Sequence, residues 1–184
     1  MRVEVLIACD GWTEALPEAE QLVVEAADEV DSAGEAAVLL ADNLTVRDLN
    51  ARFRGKDAAT NVLAFPAPAA LAGQSVAGHA EPSHAEPSHG GPSHGGPSHA
   101  GPIHAGPIHA GDVIVAFETC AAEASEQGKS LADHLRHLVL HGLLHLVGHD
   151  HQDETEAQAM EALERTLLAR LGVADPYPTS TAAS

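Results

Sequence analysis

His141-Gly142-Leu143-Leu144-His145-Leu146-Val147-Gly148-His149-Asp150-His151 is the stretch from which the rest of the chain can be read. Histidines at i and i+4 share one face of a helix, so the imidazoles of His141 and His145 can reach one ion. Gly148 lets the backbone leave the helix through a left-handed turn. The chain can then double back and present His151 as a third ligand. Three protein ligands leave the fourth corner of a tetrahedral zinc to water, as in catalytic rather than closed structural sites. Zinc brings the pKa of such a water to roughly 7. His149 could replace His151, but two residues past the helix stop it is expected to face solvent. His137 lies one turn before His141 and His134 near the same face; both are candidates for orienting the ligands. The zinc-peptidase signature shares this skeleton but places glutamate, its general base, directly after the first histidine. Gly142 stands there in this chain. Glycine cannot take a proton, which disfavours a peptidase and asks for another way to activate water or hold charge.

Outward from this helix, apolar periodicity gives the architecture. Residues 2–9 read as a strand, and residues 13–30 as a helix with Thr13 as cap and Pro17 in its first turn. Residues 36–40 form a short buried strand. A helix is predicted from the cap Thr45 to about Phe53, ended by Gly55. Residues 60–65 form another strand closed by Pro66. Residues 112–117 form the next strand, 118–127 a short helix stopped by Gly128, and Ser130 or Asp133 starts the histidine-bearing helix. A last amphipathic helix runs from Glu154 to Leu171. The predicted fold is α+β: a single mixed β-sheet of about four strands packed with about five helices, one of them a zincin-like metal helix.

Between Gly73 and Ala110 the chain is a five-residue repeat with His79, His84, His89, His94, His99, His104 and His109 evenly spaced. A proline in every unit is incompatible with helix or sheet ladder, and little apolar area offsets ordering entropy. Residues 1–172 are therefore read as one domain interrupted by a disordered insertion at 73–110, with 173–184 as a flexible tail. The repeat histidines could collect zinc or nickel, or the repeat could be a spacer.

The chain has 184 residues, enough for a core, but only 3% aromatics, so that core must be Leu, Val and Ala. No apolar run reaches the ~20 residues of a membrane helix, and the amino-terminal run is too short for a signal peptide. Cys9 and Cys120 are not closely spaced and read as reduced thiols. These features together predict a cytoplasmic protein. The net charge of −18 excludes broad electrostatic affinity for nucleic acid, DNA included. Arg47, Arg52, Arg54 and Lys56, however, concentrate basic charge that could hold a phosphate locally.

Three blocks resemble the YbeY family of endoribonucleases, the bacterial rRNA maturation factors. The pattern His-Gly-x-Leu-His-Leu-x-Gly-x-Asp-His is met at every fixed position from His141 to His151. Leu49-Asn50, Phe53-Arg54-Gly55-Lys56-Asp57 and Thr60-Asn61-Val62-Leu63-Ala64-Phe65-Pro66 form a second matching block, and Gly111-Asp112-Val113-Ile114-Val115 a third. The acidic helix carrying Glu156, Met160 and Glu164 also fits. The resemblance covers nearly the whole chain outside residues 67–110, where family members usually have a shorter loop. It implies a single-strand-specific, zinc-dependent endoribonuclease acting in 16S rRNA 3′-end maturation and ribosome quality control, with rRNA and the small ribosomal subunit as partners. It implies one Zn(2+) per chain on His141, His145 and His151, with Arg54 as the catalytic arginine. A guanidinium suits that role because its planar fork stays charged and matches phosphate oxygens. Asn61 and Lys56 are weaker candidates. The competing readings are a zinc-dependent peptidase-like hydrolase and a non-catalytic, metal-bearing ribosome assembly factor.

Overall fold

The computed structural model describes residues 1–68, 108–149 and 153–177. Four strands, β1 (Arg2–Ile7), β2 (Glu35–Ala41), β3 (Val62–Pro66) and β4 (His109–Ala116), form one sheet in the order β1-β2-β4-β3. β1, β2 and β4 run parallel, and β3 pairs antiparallel with β4 at the outer edge of the described sheet. Six helices pack on it: α1 (Asp10–Ala15), α2 (Ala19–Asp28), α3 (Asn43–Arg54), α4 (Phe117–Glu126), α5 (Leu131–Leu146) and α6 (Glu154–Arg170). The expected α+β mixed sheet is thus present.

Two local expectations are corrected. The helix predicted over 13–30 is two helices, because the residue before a proline is pushed out of helical conformation. Leu16 adopts φ −146° and ψ 75°, and Pro17 lies in the break rather than in a first turn. The cap of α3 is Asp42, not Thr45: the Asp42 carboxylate accepts the Thr45 backbone N–H at 2.8 Å. These bonds hold the Asp42 carboxyl below the usual carboxylate range. Three other helix boundaries fall where the sequence placed them. Gly55 closes α3 with φ 67°, Gly128 follows α4 with φ 64°, and the Ser130 hydroxyl caps α5.

Alternation along the strands sends side chains to two unequal layers. Val38, Leu40, Val113 and Val115 face the larger layer, where they meet α1, α2, α4, α5 and α6. Leu63, Ile114 and Ala116 face the smaller one, under Val46 of α3. On that side a groove is lined by Leu6, Leu39, Leu49, Phe53 and Phe65 among others. α5 is the central helix of the larger layer, packed against α2, α4, α6, β3 and β4. Its Leu135, Val139, Leu140 and Leu143 are completely buried.

Most of the predicted insertion, residues 73–110, lies outside the described residues. Its last units do not: Ile108 and His109 enter the sheet, where the Ile108 carbonyl accepts from Glu35 N at 2.9 Å and His109 opens β4. The start of the segment assigned to a flexible tail is also packed. Val173 is buried in the core, and Tyr177 reaches α6 and α5. Among the described residues, no helix is long and apolar enough to cross a membrane. Both cysteines are free thiols, and burial pushes Cys120 up to about 12.

Candidate metal centre

Helix α5 brings His141 and His145 together. Their Nε2 atoms lie 3.2 Å apart, with ring centroids at 4.7 Å. Two nitrogens bound at ~2.0–2.1 Å to one tetrahedral ion would stand roughly 3.3 Å apart. The pair therefore has the spacing that a shared zinc requires.

The other nitrogen of His141 is committed. Its Nδ1–H donates to Glu164 Oε1 at 2.7 Å, across the α5–α6 contact. Glu164 has no solvent exposure. Burial alone would raise its carboxyl, but hydrogen bonds from His141 and Tyr177 and the charge of the neighbouring imidazoles outweigh it, leaving the group lowered. An ionised carboxylate only accepts, so the His141 ring proton sits on Nδ1 and its Nε2 is turned toward His145. This is the arrangement by which a carboxylate orients a metal-binding histidine. Glu164 was legible from the sequence only as part of an acidic helix.

Two glycines shape the helix around the pair. Gly148 has φ 92°, and the His149 N–H returns to the Leu144 carbonyl at 3.0 Å, so the chain leaves α5 where expected. His149 is exposed. Gly142 is explained by packing. A Cβ there would lie 2.7 Å from Val113 Cγ1 on β4. Position 142 points into the sheet, so a larger side chain would collide with it.

His151, the expected third ligand, lies outside the described residues. Among the described residues, no group of three or more metal-binding side chains assembles.

His134 and His137 continue the row along α5, with ring centroids 6.2 Å apart and His137 6.4 Å from His141. His134 pairs with Glu123 at 2.9 Å, and Glu123 in turn accepts from Asn61 Nδ2 at 2.9 Å. Asn61 is therefore a joint between β3 and α4. Burial pushes His137 down to about 4, so it is neutral at physiological pH.

Arg54 ends α3. Its Nη2 donates to the Ala64 carbonyl at 3.2 Å, and its guanidinium lies 5.7 Å from the Phe65 ring centroid. Ala64 pairs with Val113, the residue against which Gly142 rests. Arg54 thus reaches β3 from the smaller layer, whereas α5 packs in the larger one, on the other face of the sheet. Two of the other three cations of the basic segment are partly neutralised: Arg47 binds Asp57 at 2.9 Å and Arg52 binds Asp48 at 2.9 Å.

The sequence profile of the family described as Endoribonuclease YbeY matches residues 9–172. Curated proteins of that name are similar over nearly the whole chain. One from Paramagnetospirillum magneticum is 45% identical over 96% of each chain. One from Azorhizobium caulinodans is 40% identical, also over 96% of each. A third, from Rhodopseudomonas palustris, is 43% identical over 95% of this chain and 88% of its own. A solution structure of a Thermotoga maritima protein is similar with a TM-score of 0.48 and 18% identity, covering 95% of this chain and 97% of that one.

Proposed function

The chain belongs to the Endoribonuclease YbeY family, and from that premise we propose that it cleaves single-stranded RNA by zinc-dependent hydrolysis. Its substrate in this reading is rRNA of the small ribosomal subunit, cut in the cytoplasm during 16S 3′-end maturation and ribosome quality control. One zinc per chain would be held by His141, His145 and His151. When bound, it would supply a polarised phosphoryl oxygen or a water of lowered pKa. The observation that carries the reading is the pair of imidazole nitrogens 3.2 Å apart on α5, with the His141 ring fixed by Glu164.

The chain's own residues divide the work. Glu164 holds the His141 proton on Nδ1 and keeps Nε2 turned toward His145. Arg54 keeps a permanent positive charge at the sheet edge, and its planar fork can fix a phosphodiester. In an acidic chain this local charge is what would hold the backbone of an RNA strand. No side-chain base is available at position 142, where even a Cβ would meet Val113. That favours phosphodiester over peptide hydrolysis.

The test offers single-stranded 16S precursor RNA to the purified protein with and without chelator. Cleavage should stop with chelator and with His145→Ala. Cleavage that survives both ends the zinc reading. Chelator-sensitive cleavage of casein would favour the peptidase. Normal 16S processing by ligand variants in cells, with a defect on deletion of the chain, would favour the non-catalytic assembly factor.

A further inference from the structure

Tyr177 belongs to the stretch that composition assigns to a flexible tail, yet it is tied down on several sides. Val173 is buried in the core. Asp175 pairs with Arg165 of α6 at 3.2 Å and accepts the Tyr177 backbone N–H at 2.8 Å. The Arg165 guanidinium lies 5.1 Å from the Tyr177 ring centroid. These contacts hold the ring so that its hydroxyl donates to Glu164 Oε2, while Glu164 Oε1 accepts from His141. The hydroxyl also stands 3.5 Å from His137 Nε2.

The chemistry of Glu164 explains why this matters. A carboxylate with no solvent exposure needs both oxygens satisfied, since an uncompensated buried charge is costly. Tyr177 satisfies the oxygen that His141 does not use. It thereby fixes the rotation of the carboxylate, and so the angle at which Oε1 meets His141 Nδ1. Without the hydroxyl, the Glu164 carboxylate would turn toward another donor. That turn loosens the His141 ring.

We propose that Tyr177, acting through Glu164, is a positioning residue that sets how tightly His141 and His145 hold zinc. The segment 173–177 is then an outer arm of the metal centre and not a tail. This rests on the zinc reading above and is separable from it.

The experiment titrates zinc alone into full-length protein against a competing chromophoric chelator. The site is identified as the binding that His145→Ala removes, which sets aside uptake by the repeat histidines. Tyr177→Phe and Glu164→Gln are compared with wild type under conditions where the metal-free variants are folded by circular dichroism. Outer partners of metal-bound histidines are typically worth about 10–100-fold in affinity. Glu164→Gln should fall in that range and Tyr177→Phe near its lower end, about tenfold. A merely structural hydroxyl would lower the melting temperature of the metal-free protein and leave the zinc affinity of the folded protein unchanged; that result overturns the proposal. Wild type with no zinc uptake sensitive to His145→Ala would instead overturn the zinc reading itself.

Discussion

Two histidine–carboxylate pairs stand on the same face of α5, two turns apart, and they use opposite ends of the imidazole. His134 spends Nε2 on Glu123 at 2.9 Å, and its Nδ1 is buried with no hydrogen-bond partner among the described residues. His141 spends Nδ1 on Glu164 at 2.7 Å and turns Nε2 to His145. The first ring is 3% exposed and the second 26%. Committing the far nitrogen makes His134 a tie between α4 and α5. Committing the near nitrogen leaves His141 Nε2 facing His145 Nε2 at 3.2 Å. In the proposed zinc reading, the part each histidine plays would depend less on its position than on which ring nitrogen the fold consumes.

The largest expected effect follows from changing one ring in each half of the row. His145→Ala should reduce RNA cleavage by more than about 100-fold, the scale of losing a metal-activated site, and should remove one bound zinc in elemental analysis. His134→Ala should keep that zinc. It takes a buried hydrogen-bond partner from Glu123, to which Asn61 still donates, and unfolding by denaturant should show a loss of about 1–3 kcal/mol. Zinc lost equally from both variants would erase the contrast.

Gly142 tests whether the contrast depends on how closely α5 lies on the sheet. Gly142→Ala drives a Cβ into Val113 and should cost about 1–3 kcal/mol by overpacking, read from the midpoint of urea unfolding. An unchanged midpoint would mean that α5 shifts freely on β4.

His137, between the two pairs, sharpens the comparison through pH. Its folded pKa is lowered to about 4 from 6.5, chiefly by burial. The unfolded chain therefore binds a proton that the folded chain refuses between those values. Stability should be full above pH 6.5 and fall as pH drops toward 4, by up to about 3 kcal/mol from this group. His137→Asn should flatten that part of a stability–pH curve. A curve with unchanged slope would refute the assignment. The smallest effect serves as a control outside the row. Asp42→Ala removes the cap of α3 and should cost about 1 kcal/mol in thermal unfolding, with zinc uptake unmoved.

Local periodicity reached far into this site. The i, i+4 spacing alone put His141 and His145 on one side of a helix, and Gly148 alone allowed the turn after it. The glycine at 142 was legible as a missing base but not as a contact, because Val113 is 29 residues away in sequence and adjacent only in space. The packing of Tyr177 was not legible for a related reason. Its neighbourhood is poor in apolar residues, and its anchors, Arg165 and Glu164, lie 12 and 13 residues earlier, inside α6.

The sequence by itself determined the strands, the helices and the shared face of the two histidines, since backbone period and turn chemistry are properties of neighbouring residues. Only the tertiary structure decided which ring nitrogen each histidine gives away. That choice is made by carboxylates on other helices, Glu123 on α4 and Glu164 on α6, whose approach depends on how the layers pack.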